Sequence, residues 1–225
     1  MDRAFDLIKV SAAQAGRLLD EYQILSCGGA LGLNCGPLLI SKELINFESV
    51  PEYRIYLPGI DTTAKLLFDF AFPNAKKQHY LLFSEIENKV LANEHSLGVI
   101  IHENRFTYLD KGLKCLMDLG QNWVEQTGLP IPLGVIMVRK SLSPSVKQDI
   151  KESIQCSIKL ANSNPEVIWP YIKKHASEMD DKVIKNHIGL YVNHFSTELE
   201  KEGKEAIQYL LKLQGYPIET SELFF

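Results

Sequence analysis

Through the first two thirds of the chain, short apolar runs alternate with longer stretches whose apolar residues recur at helical spacing; the last third keeps only the second pattern. The segment "FDLIKVS" (5–11) reads as a buried strand. The next segment, "AAQAGRLLDEYQIL", reads as a helix, and a second strand, "PLLIS", follows the glycine-dense turn "CGGALGLNCG". "EYRIYLPG" (52–59) is a third strand, stopped by Pro58-Gly59. In "DTTAKLLFDFAF", Leu66, Leu67, Phe70 and Ala71 fall on one helical face behind Asp61 or Thr62, either of which is placed to cap. "QHYLLF" is a further strand, and in the helix "SEIENKVLANEH" Ser84 and Glu87 fit a capping box. "SLGVII" is the next strand, and "TGLPIPLGVIMVRKS" (127–141) enters one more through two prolines. Beyond Leu142 the spacing predicts helices over 144–162, 165–177, 180–194 and 203–214, with Pro144, Pro165 and Asp180 as starts.

Strands and helices alternating over short connections predict an α/β protein whose strands run parallel and whose sheet is covered on both faces. Residues 51–130 form a self-contained α/β block, flanked by "GPLLIS" and "IPLGVIMV" like a pair of crossings between lobes. The expected organisation is therefore a first, larger lobe from 1–50 and 131–225, a second, smaller lobe from 51–130, a cleft between them, and a helical C-terminal region.

Composition narrows the partners. With 45% apolar residues, 23% charged residues and a formal net charge of -4, nothing favours nucleic acid or an anionic membrane. Cys27, Cys35, Cys115 and Cys156 are irregularly spaced, with no Cys-x-x-Cys pair and no histidine to complete a zinc pattern, so no metal is expected and the thiols read as reduced. The opening "MDRAFDLIKV" has no apolar run of secretory length. Nor is there a run of about 18 apolar residues to span a bilayer. The expectation is a soluble, cytoplasmic protein.

Ligands of open α/β sheets bind beyond the carboxyl ends of the strands. Three sets of residues stand there: Lys9 and Ser11, then Thr62-Thr63-Ala64, then His102 through Arg105. The "PGIDTTA" segment opens a helix, whose first-turn amides can hold a carboxylate or phosphate, or need only a cap. His102 is the one histidine at the end of a strong apolar strand, where a neutral imidazole can act as a general base or be hydrogen-bonded within a core. Arg105 can hold an anionic group bidentately or pair with Glu103. No Gly-x-Ser-x-Gly, phosphate-loop lysine, His-Glu-x-x-His or dinucleotide fingerprint accompanies them. Trp123 and Trp169 read as packing residues.

Taken together, "SCGGALG" with "CGPLLI", "GIDTTA", "GVIIHENRFTY", "DLGQNWVEQTGLPIPLG" and "HIGLYVNHFS" occur in an order and spacing that resembles the 1,4-dihydroxy-6-naphthoate synthase family, from Phe5 to the final helices. The resemblance implies a two-lobed fold like periplasmic binding proteins of the second type. It also implies a carbon–carbon lyase of menaquinone biosynthesis by the futalosine route, acting on cyclic dehypoxanthinyl futalosine without metal or organic cofactor. It makes His102 the proton acceptor, and Lys9, Val10, Ser11, Thr63 and Ala64 the binders of a small anionic, carboxylate-bearing substrate, with Arg105 as a further candidate. Family members carry a strand and a polar loop ahead of the "DLIKVS" segment that this sequence lacks; the unpaired edge so left would invite pairing with another chain, a homodimer being one such assembly. A sister chorismate dehydratase and a non-catalytic binder of a small carboxylate share the expected fold. The "HENRFTY" and "DLGQNWVEQTGLP" segments favour the synthase over the dehydratase, and the His102 motif with the lack of a secretory run in the opening segment counts against the binder.

Overall fold

In the computed structural model, which describes residues 5–33, 35–102, 104–176, 180–216 and 220–225, the chain begins with β1 (Leu7–Ser11), α1 (Ala12–Ala15), β2 (Tyr22–Ile24), β3 (Ala30–Gly32) and β4 (Leu38–Ser41). It continues through β5 (Arg54–Leu57), α2 (Thr63–Ala71), β6 (Gln78–Tyr80), α3 (Ile86–Ala92), β7 (Ser96–Ile100), α4 (Asn104–Thr107), β8 (Lys114–Asp118), α5 (Leu119–Thr127) and β9 (Ile131–Arg139). The helical remainder comprises α6 (Pro144–Ser163), α7 (Pro165–His175), α8 (Asp181–Tyr191), α9 (His194–Thr197), α10 (Glu200–Leu213) and α11 (Thr220–Leu223). The last residue of the segment read as a helix over 165–177 lies outside the described residues.

Two units divide the chain: residues 1–32 with 132–225, and residues 33–131. Residues 33–50, expected in the first lobe, thus cluster with the second, because β4 is a strand of the second unit's sheet rather than a crossing.

In the first unit β9 is central, with β1 and β2 antiparallel on either side and β3 also pairing with it. The 12–25 segment is not one helix. It breaks after α1 and a 3-10 turn (Gly16–Leu18), and its end becomes β2, because pairing with β9 buries Tyr22 and Ile24 almost completely. Burial against a strand overrides the local helical spacing. α1 supplies the small buried residues Ala12, Ala13 and Ala15 where it packs on α10, whose apolar stripe is Ala206, Ile207, Leu210 and Leu211. Two motifs far apart in sequence are stitched together here. Leu199 N donates to Ser26 O (2.7 Å), Gly28 N to Ser196 O (2.7 Å), and the Asn193 amide to Leu31 O (2.6 Å), so "SCGGALG" and "HIGLYVNHFS" hold each other.

The second unit's sheet, among the described residues, has five strands in the order β6-β5-β7-β4-β8. It is mixed, not parallel as expected: β5 runs parallel to β6 and β7, whereas β4 is antiparallel to both β7 and β8. Apolar periodicity reports burial and carries no information on direction, so the sequence could not show this. Ile55, Leu57, Leu97 and Val99 are fully buried on these strands, as are Leu67 and Phe68 of α2 and Ile86 and Val90 of α3. Trp123 is also fully buried, its indole N–H donating to Pro130 O (3.2 Å) and its ring 5.3 Å from that of Phe70.

Candidate active site

The reversed strand β4 decides what gathers at one edge of this sheet. Its first residue, Leu38, stands opposite Ile100 at the end of β7 and opposite Asp118 at the end of β8. The carboxyl ends of β5, β6, β7 and β8 therefore share an edge with the amino end of β4. Onto that edge the chain delivers the start of α2 after β5, Phe83 after β6, His102 after β7, and the start of α5 after β8.

His102 is exposed and sits at φ 56°, in the left-handed region. A non-glycine residue held there costs on the order of 1–3 kcal/mol, and such conformations cluster at active sites. The ring of Phe83 meets its imidazole edge-on, with centroids 5.4 Å apart. His102 O accepts from Arg105 N (3.3 Å), which closes the turn into α4.

At the start of α2 the capping choice falls on Thr62. Its hydroxyl accepts from Lys65 N (3.2 Å) and donates to Gly59 O (2.8 Å). Thr63 and Ala64 follow as the first two helical residues, both buried. Their amides belong to the turn whose N–H groups point out of the helix, the geometry that suits an anion.

The guanidinium of Arg105, a candidate for holding an anionic group, donates to Asp118 (2.6 Å) and to Gly36 O (2.5 Å), so it ties α4 to the starts of β4 and α5. Glu103, the partner the sequence offered for it, lies outside the described residues. Asp118 also caps α5 by accepting from Gly120 N (2.9 Å) and Gln121 N (3.0 Å). Gly36 and Gly120 meet backbone to backbone, so closely that a β-carbon on Gly36 would lie 2.3 Å from Gly120 Cα. Burial pushes the neighbouring Cys35 thiol up to about 12, against the opposing pull of Arg105. The sequence reading missed Asp118, Gly36 and Gly120. An N-cap aspartate ahead of "LGQNWVEQT" and a C-terminal Gly128 were the available signals for a helix there.

Glu87 was expected to close a capping box with Ser84. It is instead a buried carboxylate: Oε2 accepts from the Asn104 amide and from Lys111 Nζ (2.6 Å). The cap position of α3 falls on Glu85, which makes no side-chain cap.

In the first unit, Lys9, Val10 and Ser11 lie in β1 opposite Ile136, Val135 and Gly134 of β9. Lys9 is exposed, and Val10 and Ser11 are half-buried. Ser11 is also the residue from which α1 starts, without a side-chain cap. Among the described residues no group of His, Cys, Asp and Glu side chains could hold a metal, and no helix is long and apolar enough to cross a membrane.

These sheets and strand-end turns define an α/β protein of the periplasmic-binding-protein-like class. The fold resembles the periplasmic aliphatic sulphonate binding protein of Escherichia coli (TM-score 0.65, 12% identity, covering 99% of this chain and 76% of that one). It matches a crystal structure of an Archaeoglobus fulgidus protein with a TM-score of 0.87 at 32% identity, over 94% of this chain and 79% of that one. The sequence matches the menaquinone biosynthesis family model over residues 1–215, and the chain belongs to that family of biosynthetic enzymes. Among its relatives is the 1,4-dihydroxy-6-naphthoate synthase of Streptomyces coelicolor, 39% identical over 211 residues that span 92% of this chain and 74% of that protein.

Proposed function

We propose that the chain is a 1,4-dihydroxy-6-naphthoate synthase, a carbon–carbon lyase converting cyclic dehypoxanthinyl futalosine to 1,4-dihydroxy-6-naphthoate with His102 as general base. The observation that carries the reading is His102 itself: an exposed imidazole kept in a costly backbone conformation, at the sheet edge where the α2 start also lies, inside a chain 39% identical to a synthase of that name. The imidazole removes a carbon-bound proton, the electron pair left behind forms a ring double bond, the electrons of the cleaved carbon–carbon bond leave with the sugar-derived fragment, which takes the proton back from His102, and the ring becomes aromatic. Aromatisation drives the step without any need for redox chemistry. The amides of Thr63 and Ala64, with the Lys9-Val10-Ser11 segment, bind the anionic carboxylate and hydroxyl groups of the substrate; Arg105 holds the turn through Asp118 and Gly36.

A positioned base contributes about 10²- to 10⁴-fold. His102→Ala is expected to lower kcat on the cyclic substrate by that factor, read by the appearance of the naphthoate; unchanged turnover would remove His102 from the mechanism. Assay of the parent protein on chorismate tests the sister dehydratase. Tight binding of the cyclic substrate with no product from the parent protein would make it a binder, as its sulphonate-binding fold neighbour is.

A further inference from the structure

The segment that follows His102 has one partly buried apolar anchor, Tyr108, packed against the Ile86 and Val90 core cluster. α4 is four residues long, the 3-10 turn after it (Tyr108–Lys111) is equally short, and neither contains a buried residue. Helices this short are not stable by themselves. Yet the turn they continue keeps His102 at positive φ, which persists only where the surroundings over-determine it. Beyond that anchor, two carboxylates restrain the segment. Asp118 takes Arg105 of α4, as described above. On the other side, Glu87 of α3 takes the residue before it, Asn104, together with Lys111 at the end of the 3-10 turn.

The Glu87 side chain is only 2% exposed, and it carries both donors on Oε2, leaving Oε1 buried without a hydrogen-bond partner among the described residues. A buried charge so imperfectly solvated is weak support for stability, and an apolar side chain of similar volume is often as good or better. Its neighbours on α3, Ile86 and Val90, show that the helix face would accept one.

We infer that Glu87 is a positioning residue for the reaction: it fixes the two ends of the 104–111 segment on α3 and thereby sets the placement of the His102 imidazole. The inference rests on the reading of His102 as the base. Because its effect passes through geometry rather than through substrate, it should be felt in the chemical step and not in binding; displacement of a reacting group by about 1 Å can cost up to 10²-fold in rate.

The test compares Glu87→Met and Glu87→Gln with the parent for melting temperature, KM and kcat, and repeats Glu87→Met in a His102→Ala background. Glu87→Met should fold with a melting temperature near that of the parent and keep KM within about threefold, while kcat falls by about tenfold or more. Glu87→Gln, which retains an acceptor for one of the two donors, should recover part of that loss. In the His102→Ala background the same change should have little further effect, since its route to the chemistry has been removed. A folded Glu87→Met with the parent kcat, a loss confined to KM, or a full additional loss in the His102→Ala background would each overturn the role. Should Glu87→Met not fold, Asn104→Ala and Lys111→Met, which withdraw the donors from the loop side, are held to the same criteria. If His102→Ala alone leaves turnover unchanged, it is the base assignment that fails, independently of anything seen at Glu87.

Discussion

The first unit pairs β1 and β2 antiparallel to its central strand, so each edge of that sheet receives a mixture of strand beginnings and strand ends. The second unit aligns β5, β6 and β7, and one reversed strand, β4, brings β8 into the same direction as β7. Four strand ends then open on one edge. The difference explains why the second unit holds two longer helix starts, a strained histidine and two anchoring carboxylates together, whereas the first offers a single candidate segment, Lys9–Ser11. Parallel strands concentrate turns, and turns are where polar chemistry can be presented.

Each unit has its own tryptophan, Trp123 in the second and Trp169 in the first, so Trp→Phe variants leave one emission signal per unit and the comparison can be made directly. The largest contrast is expected at glycines. Gly36→Ala or Gly120→Ala forces backbone apart from backbone, which no side-chain adjustment relieves, and should cost about 3 kcal/mol or more. Gly28→Ala in the first unit meets the movable end of the Ile136 side chain but must hold φ 72°, and should cost about 1–3 kcal/mol. Urea unfolding followed at the two tryptophans would separate these; equal losses at all three glycines would refute the distinction.

A smaller contrast concerns helix caps. Thr62→Ala removes a cap that is bonded on both sides at the start of α2 and should cost about 1 kcal/mol. Ser143→Ala at the start of α6 gives up a longer 3.4 Å bond on an exposed helix and should cost about 0.5 kcal/mol. Melting temperatures of the two variants test the ranking.

The smallest effect at neutral pH, and a growing one above it, is carried by thiols. Burial raises Cys35 to about 12 and Cys27 to about 11, and it raises Cys115 and the Tyr108 phenol beside it. A raised folded-state value means that the native protein binds the proton more tightly than the unfolded chain, whose thiols titrate near 9.0. The contribution is therefore whole below pH 9 and is lost as pH rises towards 11–12. Since such raised groups are Cys35, Cys115 and Tyr108 in the second unit and Cys27 in the first among the described residues, the second unit's urea midpoint should fall further between pH 8 and 11.

The apolar runs made β1, β4, β5, β6, β7 and β9 legible, and the capping and proline signals did the same for α2, α6, α7 and α8. Strand direction was not legible: β4 has the same apolar character whichever way it runs. Tyr22 and Ile24 show a second limit, since their helical spacing yields to pairing with a strand more than a hundred residues away. At the site, His102 and Thr62–Ala64 could be found because each follows an apolar run. Glu87 could not, because its donors lie 17 and 24 residues further on and a nearby serine offered a simpler explanation. Arg105 was found for its chemistry, but its bond to Asp118 was not, since only the sheet register brings that carboxylate within reach.

The positive φ of His102 has a consequence for how the protein tolerates change. Glycine occupies that conformation without strain, gaining back roughly the 1–2 kcal/mol that a side chain loses there and giving up about 0.5–1 kcal/mol in chain entropy. The His102→Gly protein should thus be at least as durable as the parent. On the role proposed for His102, selection for a robust fold and selection for turnover pull in opposite directions at this position, and a lineage released from the need for the product would be expected to lose the imidazole early while keeping the rest of the molecule intact.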